Sequence, residues 1–345
     1  MRGVWTMIAV AATLAGCTTS RSMGPAPRPV ATSDAALRDL LDYARAQETT
    51  GFLVTRGGRT MVEENWPAPA DRNFAIFNYG RTSNGQLLED VASQQKSFIA
   101  LLIGIAVDKR MIDVERPVSD YLGEGWSKAK PGQEARIRVL DILTMSSGLD
   151  EQFGYVAPAG TVFLYNTPVY AITKRILSVA TGMSLERLTR EWLTGPLGMR
   201  DTKWRQRPAA LAGVGNATGL VTTPRDIALL GRMVLARGVT ARGRRIISSS
   251  SLAAIFQRSA ANPAYGRLWW LNGGAFSLLP PAQRRSGPLI PAAPADLVAA
   301  LGFLDRRLYV VPSLDLVVVR TGGDAPDPDF DEHLWQRIMR TRFSR

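Results

Sequence analysis

Apolar positions form strand-length runs at the two ends of the chain and helix-length runs between them. Over residues 50–64, Gly51-Phe52-Leu53-Val54-Thr55-Arg56 and Arg59-Thr60-Met61-Val62 flank Gly57-Gly58. Two β-rich runs joined by a glycine pair predict a hairpin. Near the other end, residues 307–311 and 316–320 flank Pro312-Ser313-Leu314-Asp315 and predict a second hairpin. Between them the pattern predicts helices over 94–109, 139–145, 169–181, 185–193 and 225–237, punctuated by Pro, Gly and Asn. The expected fold class is therefore α/β: an antiparallel β-sheet flanked by helices and closed by strands from both termini, with a largely helical inserted region. No internal repeat is present, which argues against a solenoid or propeller.

Composition changes this picture mainly at the N-terminus. The chain has 345 residues and a formal net charge of +12, with one cysteine and one histidine. That length supports a sizeable core, assigned to one domain over 34–345. The basic bias suits attraction to an anionic surface. With no block of like charges and no nucleic-acid motif, nucleic acid is not an expected partner. An apolar stretch from Val4 to Leu14 is too short to span a bilayer and reads as a secretory signal. Leu14-Ala15-Gly16-Cys17 follows it and resembles a bacterial lipobox. Residues 1–17 are thus expected to be a lipoprotein signal peptide, with Cys17 the lipidated residue and 18–33 a flexible tether. Thr18, standing where an aspartate would signal inner-membrane retention, favours a lipid anchor on the periplasmic face of the outer membrane. The expected state is a monomer.

Elimination narrows the chemistry. His333 is the sole histidine and sits where Phe330, Leu334 and Ile338 recur at helical spacing, so it reads as structural. No Gly-x-Ser-x-Gly elbow is present, and a Ser-His-Asp triad would have to use that terminal helix. Neither a zinc site nor any cofactor is expected. Asp327-Pro328-Asp329-Phe330-Asp331 begins like a calcium loop, but Glu332 replaces the required glycine and Ile338 the bidentate glutamate. These acids instead suit the N-terminus of a closing helix. The glycines over 213–219 lack dinucleotide spacing. A serine nucleophile here needs lysine or tyrosine as its base. Ser93-Gln94-Gln95-Lys96 enters the apolar run from Phe98 to Val107 and puts a hydroxyl and an amine on one helix face, roughly 5–6 Å apart at Cβ. A second Ser-x-x-Lys, Ser127 to Lys130, is followed at once by Pro131-Gly132, and no helix is expected to continue from it.

Collinear blocks then carry a resemblance over roughly residues 35 to 340. Asp90-Val91-Ala92-Ser93-Gln94-Gln95-Lys96-Ser97 leads them, followed by Pro117-Val118-Ser119-Asp120-Tyr121-Leu122 and Ile142-Leu143-Thr144-Met145-Ser146-Ser147-Gly148-Leu149. Next come Gly160-Thr161-Val162-Phe163-Leu164-Tyr165 and Gly195-Pro196-Leu197-Gly198-Met199-Arg200-Asp201-Thr202. Gly219-Leu220-Val221-Thr222-Thr223-Pro224-Arg225-Asp226 and Tyr309-Val310-Val311-Pro312-Ser313-Leu314-Asp315-Leu316 complete the set. Together they resemble serine hydrolases of the class C β-lactamase and penicillin-binding-protein type, a group that includes family VIII esterases and 6-aminohexanoate-dimer hydrolases. The resemblance implies Ser93 as acyl-accepting nucleophile, Lys96 as its proton partner and Tyr165 as second base. It also implies an oxyanion hole from the backbone N–H groups of Ser93 and Phe303. The primary base stays open between two routes: a tyrosinate, which requires about 4 kcal/mol to bring a tyrosine to neutrality, or a desolvated neutral Lys96.

The chain departs from the family pattern at three places. Tyr-x-Asn is replaced by Tyr165-Asn166-Thr167, which leaves Asn166 as a partial substitute on the substrate side and Tyr155 as an outlying alternative base. Met145 stands where a histidine is usual. On the strand lining the site, Ala300-Leu301-Gly302 replaces a cation, a hydroxyl residue and glycine. Ala300 cannot bind a carboxylate, a loss of about 1.5–3 kcal/mol, unless Arg306 or Arg307 supplies the charge. The expected activity is esterase- or amidase-like hydrolysis of a small-molecule ester or amide. A β-lactamase or D-amino-acid peptidase, and a non-catalytic penicillin-fold binding protein, are the alternatives.

Overall fold

The computed structural model describes residues 33–280 and 283–344. The expected signal peptide, Cys17 and the tether, save its last residue Ser33, lie outside the described residues. Strands in the first half are β1 (Thr49–Arg56), β2 (Arg59–Asn65), β3 (Asn78–Arg81) and β4 (Leu87–Asp90). There follow β5 (Lys203–Gln206), β6 (Thr218–Thr222), β7 (Trp270–Leu271), β8 (Phe276–Leu279) and β9 (Gln283–Ser286). The last are β10 (Val298–Gly302), β11 (Arg306–Val311) and β12 (Leu316–Gly322). The helices that matter below are α1 (Ser33–Ala46), α2 (Gln95–Asp108), α3 (Thr167–Thr181), α4 (Pro224–Leu235), α5 (Ser249–Ile255) and α6 (Phe330–Ile338).

The main sheet runs β2-β1-β12-β11-β10-β7, with every neighbouring pair antiparallel. β1 lies beside β12, so strands from both ends of the chain close the sheet as the apolar pattern predicts. β11 and β12 are buried at every position, and β1 at all but its last. Strands with successive rather than alternating apolar residues must be covered on both faces. α4 covers one: a Cβ on Gly231 would lie 2.6 Å from Val317 and 2.8 Å from Leu308, so only glycine permits this approach. α1 and α6 cover the other, with Trp335 edge-on to Tyr309 at 5.5 Å and Tyr43 stacked on Phe330 at 6.1 Å. Leu308 and Tyr309 point oppositely, as the pleat requires.

The predicted helices are present with adjusted ends. Helix 185–193 divides into an α-helical turn Leu185–Thr189 and a π segment Arg190–Thr194. A single helical turn, Pro131–Glu134, does follow the second Ser-x-x-Lys, with proline at its start where no N–H is needed. A smaller sheet, β3-β4-β6-β5, was not visible in the hydrophobic pattern. Its strands are four or five residues long, too short for period-2 alternation to stand out. Among the described residues no helix is long and apolar enough to cross a membrane.

Two ion pairs lock the small sheet to its surroundings through adjacent residues of β4. Glu89 accepts from Arg306 Nη2 at 2.9 Å, tying β4 to β11, and both side chains are fully buried. Asp90 takes a two-pronged grip from Arg207, Nε at 2.7 Å and Nη2 at 2.9 Å. Removing one partner of such a pair strands a buried charge, so Arg306→Met is expected to destabilise the protein by about 3–5 kcal/mol. Urea denaturation checks this, and a loss under about 1 kcal/mol would contradict it.

Candidate active site

Directly after Asp90 the chain makes the turn that carries Ser93. The Val91 N–H reaches the Leu220 carbonyl at 3.0 Å, and the Ala92 N–H reaches Asp90 Oδ1 at 2.9 Å. Ala92 is held at φ +49°, a conformation disfavoured for a residue with a Cβ. Such strain costs about 1–3 kcal/mol and persists only where the surroundings impose it. Here Asp90, itself clamped by Arg207, imposes it. Ser93 then lies in a 3-10 turn, Ala92–Gln94, that runs straight into α2. Its position at the helix start surrounds it with backbone N–H groups, an environment favourable to negative charge.

β10 closes the other side of this turn. A Cβ on Gly302 would sit 2.3 Å from the Val91 carbonyl oxygen and 3.3 Å from the Gln94 nitrogen. Only glycine lets the strand approach this closely, and that approach brings the following residue, Phe303, to the cleft beside Ser93. Gln94 secures the contact by donating to the Ala300 carbonyl at 3.3 Å.

Lys96 Nζ stands 2.9 Å from Ser93 Oγ and donates to Thr167 Oγ1 at 3.1 Å. The lysine is almost fully buried, with its amine 4.8 Å from the ring centres of both Tyr165 and Tyr170. Burial, then the charges of Arg207 and Lys174, hold Lys96 well below the ordinary lysine range. Aromatic faces favour the ammonium by about 0.5–2 kcal/mol. Desolvation acts in the other direction and is the largest influence on this amine. The free amine is therefore easier to reach than in an exposed lysine.

Tyr165 stacks on Trp270 at 5.9 Å and meets Tyr265 edge-on at 6.3 Å. Burial pushes its phenol up to about 12, while the neighbouring Ser93 hydroxyl pulls it the other way. At pH 7 that leaves only about one tyrosinate in 100,000. A second buried amine, Lys174, bonds Asn216 Oδ1 at 2.7 Å and the Thr218 carbonyl at 2.8 Å. Burial and Arg207 push it down to about 7, with Asp90 opposing.

The structure redistributes several other expectations. Asn166 does not face the cleft: its Oδ1 caps α3 through the Val169 N–H at 3.0 Å, and its Nδ2 donates to the Leu149 carbonyl at 2.9 Å. Thr167, one residue on, reaches Lys96 instead. Ala300 is fully buried, whereas Leu301, Gly302 and Phe303 line the cleft, Gly302 also closing against the turn. Neither arginine supplies a free cation. Arg306 bonds Glu89 and the Phe303 carbonyl; Arg307 lines the cleft but bonds Asp331 Oδ1 at 2.8 Å and also Asp305. Met145 is buried, and its sulfur accepts the Asn166 N–H at 3.4 Å. Tyr155 does not line the cleft, Ser127 donates to Glu134 at 2.6 Å, and His333 pairs with Asp327 at 2.7 Å. Asp329 precedes α6, with Asp331 and Glu332 in its first turn, as their charge predicts. Gly219 serves packing, since a Cβ there would lie 1.9 Å from Asp90.

The cleft beside Ser93 has a volume of about 920 Å³. Tyr165, Trp270, Leu301 and Phe303 line it near the serine, and the β8–β9 hairpin contributes Leu279 and Arg285. A helix-borne serine and lysine, an aromatic-packed tyrosine and a bordering antiparallel strand together define a serine hydrolase of the penicillin-recognising fold. The Beta-lactamase family model matches residues 34–336, and the chain belongs to that family. A 6-aminohexanoate-dimer hydrolase from Paenarthrobacter ureafaciens is 25% identical over 87% of this chain and 80% of its own. A family VIII carboxylesterase superposes with a TM-score of 0.64 at 16% identity, over 89% of this chain and 98% of that one. A penicillin-binding protein homolog from Caulobacter crescentus gives 0.66 at 15% identity, over 89% and 97%.

Thr167 is the contact that sequence spacing missed. Thr167→Val keeps the shape and removes the oxygen that accepts from Lys96. Losing one such hydrogen bond is expected to lower turnover of an activated ester about tenfold with the fold retained. Steady-state kinetics with circular dichroism checks it; turnover within twofold of the parent would contradict it.

Proposed function

We propose that the protein hydrolyses carboxylic esters or amides through an acyl-enzyme on Ser93, with neutral Lys96 as the primary base. The observation that carries this is the amine of Lys96, 2.9 Å from Ser93 Oγ and buried with no carboxylate paired to it among the described residues. As Oγ attacks the substrate carbonyl carbon, its proton passes to Lys96 Nζ. The oxyanion of the tetrahedral intermediate is stabilised by the N–H groups of Ser93 and Phe303. Lys96 returns the proton to the leaving oxygen or nitrogen, directly or through the Tyr165 hydroxyl, as the scissile bond breaks. Water then attacks the acyl carbon and gives its proton to the same amine; as the bond from that carbon to Ser93 Oγ breaks, Lys96 passes the proton to Oγ, the acid leaves and both side chains return to their starting state. Tyr165 acts in this scheme as a neutral hydroxyl.

Charge around the cleft supports an ester or amide over a β-lactam. Asp305, Asp324, Asp327, Asp329, Asp331 and Glu332 line its far wall, against Arg285 and Arg307. With Arg307 already paired and Ala300 uncharged, a substrate carboxylate finds more repulsion than welcome. The proposed setting, from Leu14-Ala15-Gly16-Cys17, is a monomer lipid-anchored at Cys17 and facing the periplasm.

A fluorophosphonate probe with peptide mapping by mass spectrometry tests the nucleophile. The expected result is one adduct, on Ser93, absent from Ser93→Ala, with parallel loss of short-chain nitrophenyl ester hydrolysis. An unlabelled Ser93 together with a spared ester, or undiminished hydrolysis by Ser93→Ala, would overturn the proposal.

A further inference from the structure

Behind the nucleophile, on the stripe of α2 that also carries Lys96, the fold leaves a second hollow. Ala100, Ile103 and Gly104 form its floor with Leu143 and Ile255, and its volume is about 200 Å³. None of its lining residues lines the cleft that holds Ser93. An apolar cavity of roughly 150 Å³ takes up benzene, so this one has room for a chain or ring of about six carbons.

One side chain makes the hollow more than a packing gap. Arg267 lines it, partly buried, and among the described residues its guanidinium has no ion-pair or hydrogen-bond partner. Burial lowers its pKa, and Glu115 is the charge that opposes this. Glu115 is itself bonded to Arg138 at 2.7 Å. Ser250 and Ser251 lie on the lining beside it. The nearby acid at the end of α2, Asp108, is already engaged by the Ser248 N–H and by the hydroxyls of Ser248 and Ser251, each at 2.6 Å. A half-desolvated guanidinium beside an apolar floor matches one kind of ligand: a small anion with an apolar tail. Arginine's planar fork suits a carboxylate.

We propose that the hollow between α2 and α5 binds a short aliphatic monocarboxylate, its tail on Ala100, Ile103 and Ile255 and its carboxylate on Arg267. The residue after Arg267 ties the site to the catalytic helix. The Leu268 carbonyl accepts from Ser97 Oγ at 2.8 Å, and Trp269 Nε1 donates to the Ser97 carbonyl at 3.2 Å, one position beyond Lys96. The site is separate from the cleft and does not rest on the reaction proposed for Ser93.

Isothermal titration calorimetry on the full chain tests it, with hexanoate against the neutral isostere hexanamide. Saturable binding of hexanoate is expected, with hexanamide about tenfold weaker or more. Arg267→Met should abolish the preference for the anion, and Ala254→Leu, which fills the hollow from its α5 side, should weaken both ligands. Ser93→Ala should bind hexanoate as the parent does. Absence of saturable hexanoate binding, an Arg267→Met variant that keeps the preference, or binding lost in Ser93→Ala would overturn the proposal. The readout is binding, so its failure and a failure of hydrolysis at Ser93 are told apart.

Discussion

Burial of the Lys96 amine beside Ser93, with no carboxylate paired to it among the described residues, is the constraint on which this site depends. A charged lysine in that position would need a counter-ion, and the one acid at the base of the turn, Asp90, is fully occupied by Arg207. The positive charges of Arg207 and Lys174 add to the desolvation and favour the neutral amine. The same surroundings raise Tyr165, so a single environment pushes lysine and tyrosine apart. In the proposed mechanism the base and the neutral hydroxyl donor are distinguished by burial rather than by sequence position.

The scaffold exists to hold that geometry against strain. Ala92 at positive φ, the β4 ion pairs and the glycine at 302 all act on four residues of backbone. β4 is pinned to the main sheet through Glu89 and to the β5–β6 side through Asp90, so the turn is fixed from two directions. The sheet in turn is held in place by packing, its central strands being buried along their whole length. Each layer of packing narrows the freedom of the next, from sheet to strand end to serine.

Much of this was legible in the sequence, for identifiable reasons. The two terminal hairpins announce themselves because glycine pairs and β-branched runs are local signals. α2 was readable from its unbroken apolar run, and Ser93 and Lys96 from the elimination of histidine chemistry. The small sheet was not readable, because its short strands are specified by buried pairs such as Asp90 and Arg207, 117 residues apart. Asn166 and Thr167 show the same limit at finer scale. Both are polar residues at a helix start, and only the helix's register decides which one caps it and which one meets Lys96. Strand alternation over residues 300–303 puts Leu301, not Ala300, on the same side as the cleft-lining Phe303.

The ionisation of Lys96 is the central claim and can be read directly. Nuclear magnetic resonance of the full chain with isotopically labelled lysine side chains, titrated with pH and assigned through Lys96→Arg, reports the charge on that amine. Lys96 is expected to lose its proton well below the usual value of about 10.4. The amine is then neutral and competent as a base above that midpoint, and is progressively protonated as the pH falls through it. A Lys96 resonance that stays charged until the pH reaches the ordinary lysine range would contradict the account.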